Sequence, residues 1–160
     1  MREINEYTTE LNDHGITVLC EKSTYNTDIK FLNDSDHVAN FAREILHMDK
    51  KAEEYFFIIA VNTKCVPIGV FEVSHGTVNT TIAGIREIFV RLFLCGAAGF
   101  FAIHNHPSGE VTPSEQDITL TKNLVKAGNF MGVRLYDHII IGKDHAYKSI
   151  RKTNDWSQFQ

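Results

Sequence analysis

Cysteine is scarce here: Cys20, Cys65 and Cys95 are the only three in 160 residues. Being odd in number and far apart, they exclude a disulfide framework and a Cys-x-x-Cys metal knuckle, and they suit a reducing cytoplasm. Long apolar runs are missing too. The most apolar region, Ile85 to Ile103, is interrupted by Arg86, Glu87 and Arg91, and Met1-Arg2-Glu3 leads into polar sequence. Neither a membrane span nor a signal peptide is expected. Positive charge is not in excess, since 20 acids against 16 bases leave a net charge of -4, which gives no support to broad phosphate-backbone binding. Lys143, Lys148, Arg151 and Lys152 could form a local basic patch, but a solvated C-terminal face is the commoner reading of such a group. The five tyrosines and the single tryptophan, Trp156, lack the basic-aromatic clustering of a nucleic-acid stacking platform. With no repeat, low-complexity tract or Pro/Gly/Ser-rich linker, the 43% hydrophobic content suffices for one core in one domain.

What is present reads as α/β. The first thirty residues are polar apart from Ile16-Thr17-Val18-Leu19, and residues 1–33 are expected to be a partly ordered arm. Asp34-Ser35-Asp36 offers N-caps for a helix whose apolar positions, Val38, Phe41, Ala42, Ile45 and Leu46, share one face. The apolar run Tyr55 to Val61 predicts a buried strand, turned by Asn62-Thr63-Lys64 into a second strand over 66–74. Gly76 to Thr81 is expected to be a connection, and Ile85, Ile88, Phe89 and Leu92 mark a helix ending near Gly96. A strand from Phe100 to His104 follows. A helix then runs on through Leu120, Leu124 and Val125 to a stop near Gly128. Val133 to Ile141 is a strand buried on both faces, with a short last strand over 146–150. The expected main domain is 34–152, with 153–160 as a tail. The fold class is a mixed β-sheet flanked by helices.

Chemistry concentrates in His104-Asn105-His106-Pro107-Ser108-Gly109 and the residues up to Asp117. In a strand, residues i and i+2 face one way, so both imidazoles can reach one ion. Thr112 is expected to cap the next helix, with Pro113 first in it and Glu115 closing a capping box. Asp117 then shares a helical face with Ser114 and looks back at the histidines. Two imidazoles and a carboxylate suit a borderline divalent ion, zinc first among them, with a fourth position left for a water whose pKa falls to about 7 on zinc. The bland alternative is two strand-end histidines and a solvated aspartate. A capped helix that returns a carboxylate to the pair speaks against it.

The spacing His-x-His, seven residues, Ser, two residues, Asp resembles the JAMM signature of JAB/MPN metallohydrolases, carried by His104, His106, Ser114 and Asp117. The longer string HNHPSGEVTPSEQD resembles the RadC branch. Ser74 with Gly76-Thr77, Arg86-Glu87-Ile88-Phe89 and Asp137-His138-Ile139-Ile140-Ile141-Gly142 add to it, over roughly residues 35–150. The resemblance implies a cytidine-deaminase-like JAB/MPN domain and zinc held by His104, His106 and Asp117. It also implies a general base at the start of the first hairpin strand, here Glu54, with Glu53 one residue off. Glu72 is the rival, because burial in the second strand would raise its pKa toward the useful range. Ser114 would donate to the oxyanion on an attacked carbonyl, or simply satisfy a helix-start N–H. Asp137 could orient a ligand histidine, and His75, His138 and His145 could stand behind the ligands, although a lone histidine in a strand or turn is more often structural.

The implied activity is zinc-dependent hydrolysis of a peptide or isopeptide bond in a peptide or protein-conjugate substrate. The RadC name also carries an association with DNA repair, so a nuclease or repair accessory is the alternative. Two departures weaken it: the segment before residue 35 is too short for the helix-hairpin-helix region usual in RadC proteins, and consecutive His-Asn-His is not the spread HNH nuclease motif. A zinc deaminase would need His-x-Glu and Pro-Cys-x-x-Cys, which are absent. A metal-free scaffold would not need all three ligands.

Overall fold

The computed structural model describes residues 1–76 and 84–159, so the connection expected from Gly76 to Thr81 falls outside the described residues beyond Gly76 itself. Seven strands form one mixed sheet in the order β2-β1-β4-β3-β5-β6-β7. They are β1 (Arg2–Leu11), β2 (Thr17–Thr27), β3 (Glu54–Val61), β4 (Pro67–Gly76), β5 (Gly99–Asn105), β6 (Arg134–Ile141) and β7 (Tyr147–Ser149). The helices are α1 (Ser35–Glu44), α2 (Ile85–Leu94) and α3 (Glu115–Met131). The pairs β1/β4 and β5/β6 are parallel and the others antiparallel. No helix among the described residues is long and apolar enough to cross a membrane.

Alternation along the central strands divides the interior in two. Phe56, Ile58, Phe100, Ala102 and Ile140 pack with Ile88 and Leu92 of α2 and Leu124 and Val125 of α3. Phe57, Ile59, Phe101, Ile103 and Ile139 pack with Val38 and Phe41 of α1. Each phenylalanine or isoleucine buried in this way contributes roughly 1.5–3 kcal/mol. Because β5 is covered on both faces, all seven of its residues are buried, and an uninterrupted apolar run can end in a histidine held inside the protein.

Four expectations need correction. The N-terminal arm is a long antiparallel hairpin, β1 and β2, joined to the sheet where Glu6 pairs with Val70 of β4. Its polarity concealed it, because the inward-facing Glu6 is satisfied by Lys22, Ser23 and Tyr25 from the opposite strand. Secondly, α3 begins later than Thr112: Ser114 is the N-cap and Asp117 its capping-box partner. Thr112 is diverted by Glu110, whose Oε1 accepts from both its hydroxyl at 2.8 Å and its N–H at 3.1 Å. Thirdly, Gly128 lies inside α3, which ends instead at Gly132 in the left-handed conformation. The C-terminal residues expected as a tail return to the core through Phe159, which is 3% exposed.

Candidate metal centre

The site lies where the parallel pair β5 and β6 ends and α3 begins, at the carboxyl edge that favours ligand sites in such crossovers. His104 follows Phe100 and Ala102 on the α3 side of β5. His106 lies just past the strand, tied to β6 by its N–H donating to the Ile141 carbonyl at 2.9 Å. The following loop can press against β6 because position 142 is glycine. A Cβ there would lie 2.5 Å from the Gly109 carbonyl oxygen and 2.6 Å from Val111 Cγ1.

Asp117 is aimed by the helix cap. Its Oδ2 accepts from the Ser114 N–H and hydroxyl, both at 2.7 Å, and its own N–H donates to Ser114 Oγ at 3.1 Å. Its Oδ1 is left facing His104 Nε2 at 3.2 Å, and Oδ2 lies 3.6 Å from His106 Nε2. The two Nε2 atoms are themselves 2.9 Å apart. Glu54, first residue of β3, completes the group, so that one donor atom from each of Glu54, His104, His106 and Asp117 lies within 4.8 Å of the others. Burial alone would raise the Asp117 pKa, yet hydrogen bonds with His104, His106 and Ser114 hold it well below the usual carboxylate range. The same contact with Asp117 raises His106, against an opposing effect of burial.

Asn105, between the histidines, points the other way and clamps the start of β3. Its Nδ2 donates to the Glu53 carbonyl at 2.9 Å and its Oδ1 accepts from the Tyr55 N–H at 2.8 Å, so both backbone neighbours of Glu54 are held. Glu53 and Glu54 line a cleft of about 510 Å³ with Gly76, Pro107, Ser108 and Gln116.

Glu72 is placed differently from its expected environment. It is ion-paired with Lys22 at 2.9 Å and bonded to His75 at 2.7 Å. Burial would raise its carboxyl, but Lys22 and His75 bring it below its ordinary value. It does not join the Glu54 group. Asp137 touches no ligand candidate; it accepts from the Ser149 hydroxyl and from the N–H groups of His138 and Arg151. Of the three histidines read from the sequence as more often structural, His138 is the one that stands directly behind His104. Its Nε2 lies 2.8 Å from His104 Nδ1 and its Nδ1 2.6 Å from the Thr121 hydroxyl, and it is completely buried. Burial, with His104 beside it, brings His138 well below the ordinary histidine pKa.

The profile of the RadC-like JAB domain matches residues 32–155. The chain belongs to the RadC-like JAB family. It is 40% identical over 121 residues to a UPF0758 protein of Alkaliphilus metalliredigens, covering 76% of this chain and 51% of that one. A UPF0758 protein of Clostridium beijerinckii is 36% identical over 119 residues, covering 74% and 51%. Another, from Bacillus cereus strain B4264, is 42% identical over 100 residues, covering 62% and 44%. The chain thus spans about half the length of these curated relatives.

In this RadC-like JAB domain the donor set fits a cation. His106 Nδ1 lies 2.7 Å from the Glu110 carbonyl oxygen, which can only accept, so that nitrogen carries a proton and Nε2 is available as a ligand. Two imidazole nitrogens and a carboxylate oxygen then converge with an acidic neighbour on a mostly buried point. Such a convergence calls for positive charge at its centre.

Proposed function

We propose that this RadC-like JAB domain is a zinc-dependent hydrolase of peptide or isopeptide bonds. The observation that supports the reading is the convergence of Glu54 with His104, His106 and Asp117 on the wall of an open cleft. His104, His106 and Asp117 would hold the ion. When bound, zinc polarises a carbonyl and lowers the pKa of a water to about 7.

The rest belongs to the chain. Glu54 takes the proton of the attacking water and returns it to the leaving amine, as a carboxylate within reach of both can. Asn105 keeps Glu54 in place through the backbone on either side of it. The Ser114 hydroxyl, which donates to Asp117 Oδ2 in the free protein, turns toward the oxygen on which negative charge develops. Gly76, Pro107 and Gln116 shape the cleft that receives the scissile bond. A carbonyl substrate suits a single ligand set in an acidic chain, whereas phosphodiester cleavage more often uses two metals and a cationic groove. Three unpaired cysteines fit a cytoplasmic setting.

The test is to incubate zinc-loaded protein and Glu54→Gln with an isopeptide-linked protein conjugate and with single- and double-stranded DNA. Cleavage of the conjugate is expected, and a fall of roughly 10²–10⁴-fold in the variant while zinc is retained. Glu54-dependent DNA cutting with the conjugate intact would reverse the reading, and tight DNA binding without cutting would support a repair accessory instead.

A further inference from the structure

We infer that Thr121 and His138 form a one-way hydrogen-bond relay that holds a proton on His104 Nδ1 and so presents its Nε2 to the metal. The direction follows from which atoms own protons. Thr121 Oγ1 lies 2.6 Å from the backbone carbonyl oxygen of Asp117, one helical turn earlier. A carbonyl can only accept, so the single hydroxyl proton of Thr121 is committed to it. The reverse arrangement would press two lone-pair-bearing oxygens together in a site with no water access.

Thr121 therefore meets His138 as an acceptor. The 2.6 Å contact to His138 Nδ1 requires a proton on that nitrogen. His138 is fully buried, its ring stands edge-on to Phe56 at 5.6 Å, and both ring nitrogens meet only Thr121 and His104, so the ring is neutral and holds one proton only. Its Nε2 must then accept. The donor is His104 Nδ1 at 2.8 Å, which commits a proton to that nitrogen and makes Nε2 the atom that faces His106 and Asp117.

The two candidate ligand histidines thus both hold a proton on Nδ1, by different routes. His106, beyond the strand, finds the Glu110 carbonyl directly. His104 lies inside β5, where the neighbouring carbonyls are engaged in the sheet, and a buried histidine and threonine replace the missing acceptor. The relay begins on the backbone of Asp117, whose side chain belongs to the same donor set, so α3, β6 and β5 are linked around the ion. Thr121 and His138 are positioning residues, in the way that groups behind metal ligands orient them.

This inference rests on the reading of His104 as a ligand, and the test separates the two. Nitrogen-detected NMR of histidine-labelled, metal-free protein reads each ring's tautomer, and chelator competition reads zinc affinity. In the wild type, His104 and His138 should both carry a proton on Nδ1, and His138 Nε2 should be unprotonated. Thr121→Val should let His138 move its proton to Nε2 and donate to His104, shifting the His104 proton to Nε2 and weakening zinc about 10–100-fold. Thr121→Ser, which keeps the hydroxyl, should restore both readings to within about twofold of wild type. A wild-type His138 protonated on Nε2 overturns the relay without any variant being needed. So does a folded Thr121→Val protein with unchanged tautomers and zinc affinity. Tautomers as derived in a wild type that takes up no zinc would support the relay and overturn the ligand reading alone.

Discussion

Asp117 serves two structures with one carboxylate, closing the capping box of α3 through Oδ2 and facing His104 through Oδ1. Helix stability and metal binding should therefore fall together when the cap is removed. Ser114→Ala should cost about 1 kcal/mol in denaturant unfolding and weaken zinc by roughly tenfold in chelator competition. Loss of stability with zinc affinity unchanged would mean that Asp117 is aimed by the helix alone. At this scale the convergence of His104, His106 and Asp117 was legible, because His-x-His and the return of Asp117 depend on local periodicity. His138 was not. Its place beside His104 depends on the pairing of Ala102 with His138 after a shift in the β5/β6 register, which no local pattern announces.

At the scale of elements, α3 shows how one residue type can carry opposite messages. Glycine near the end of an apolar period reads as a stop, yet Gly128 is an interior helical position where the backbone of β6 comes close. A Cβ at 128 would lie 2.6 Å from the Val133 carbonyl oxygen and 3.3 Å from the Leu135 N. Gly128→Ala gains about 1 kcal/mol of helix propensity but sets a methyl group against backbone, an overpacking cost of roughly 1–3 kcal/mol. Net destabilisation is expected, seen as a lower denaturant midpoint; a rise would show that α3 can withdraw from β6. The N-terminal hairpin was missed for a different reason. Period-two reasoning looks for apolar residues facing inward, and β1 buries Glu6 with its cross-strand partners instead.

For the molecule as a whole, that same group joins the hairpin to the sheet that carries the site. Lys22 lies 2.8 Å from Glu6 and 2.9 Å from Glu72. Burial alone would raise the Glu6 carboxyl, but Lys22, Tyr25 and Ser23 bring it below its ordinary value of 4.5, and Glu72 is shifted the same way. A carboxyl lowered on folding adds stability above its unfolded pKa, and that stability disappears as pH falls through 4.5 and then through the folded value. Glu6→Gln should therefore be less stable than wild type at pH 7 by about 1–3 kcal/mol, with the gap closing as the solution is acidified below about pH 4.5. A gap that is constant with pH would mean that the group contributes shape and not charge. The two-faced sheet and the continuous apolar strands could be read from the chain, whereas this polar joint needed the three-dimensional pairing of β1 with β2 and β4.

The account depends most on the convergence of His104, His106, Asp117 and Glu54 being a metal centre. Metal content of protein purified without chelator tests it most directly. About one zinc per chain is expected, with most of it lost in His106→Ala and in Asp117→Ala, since removing one of three protein ligands leaves a weak site. Folded wild-type protein that arrives empty and takes up no zinc when it is supplied would contradict the account.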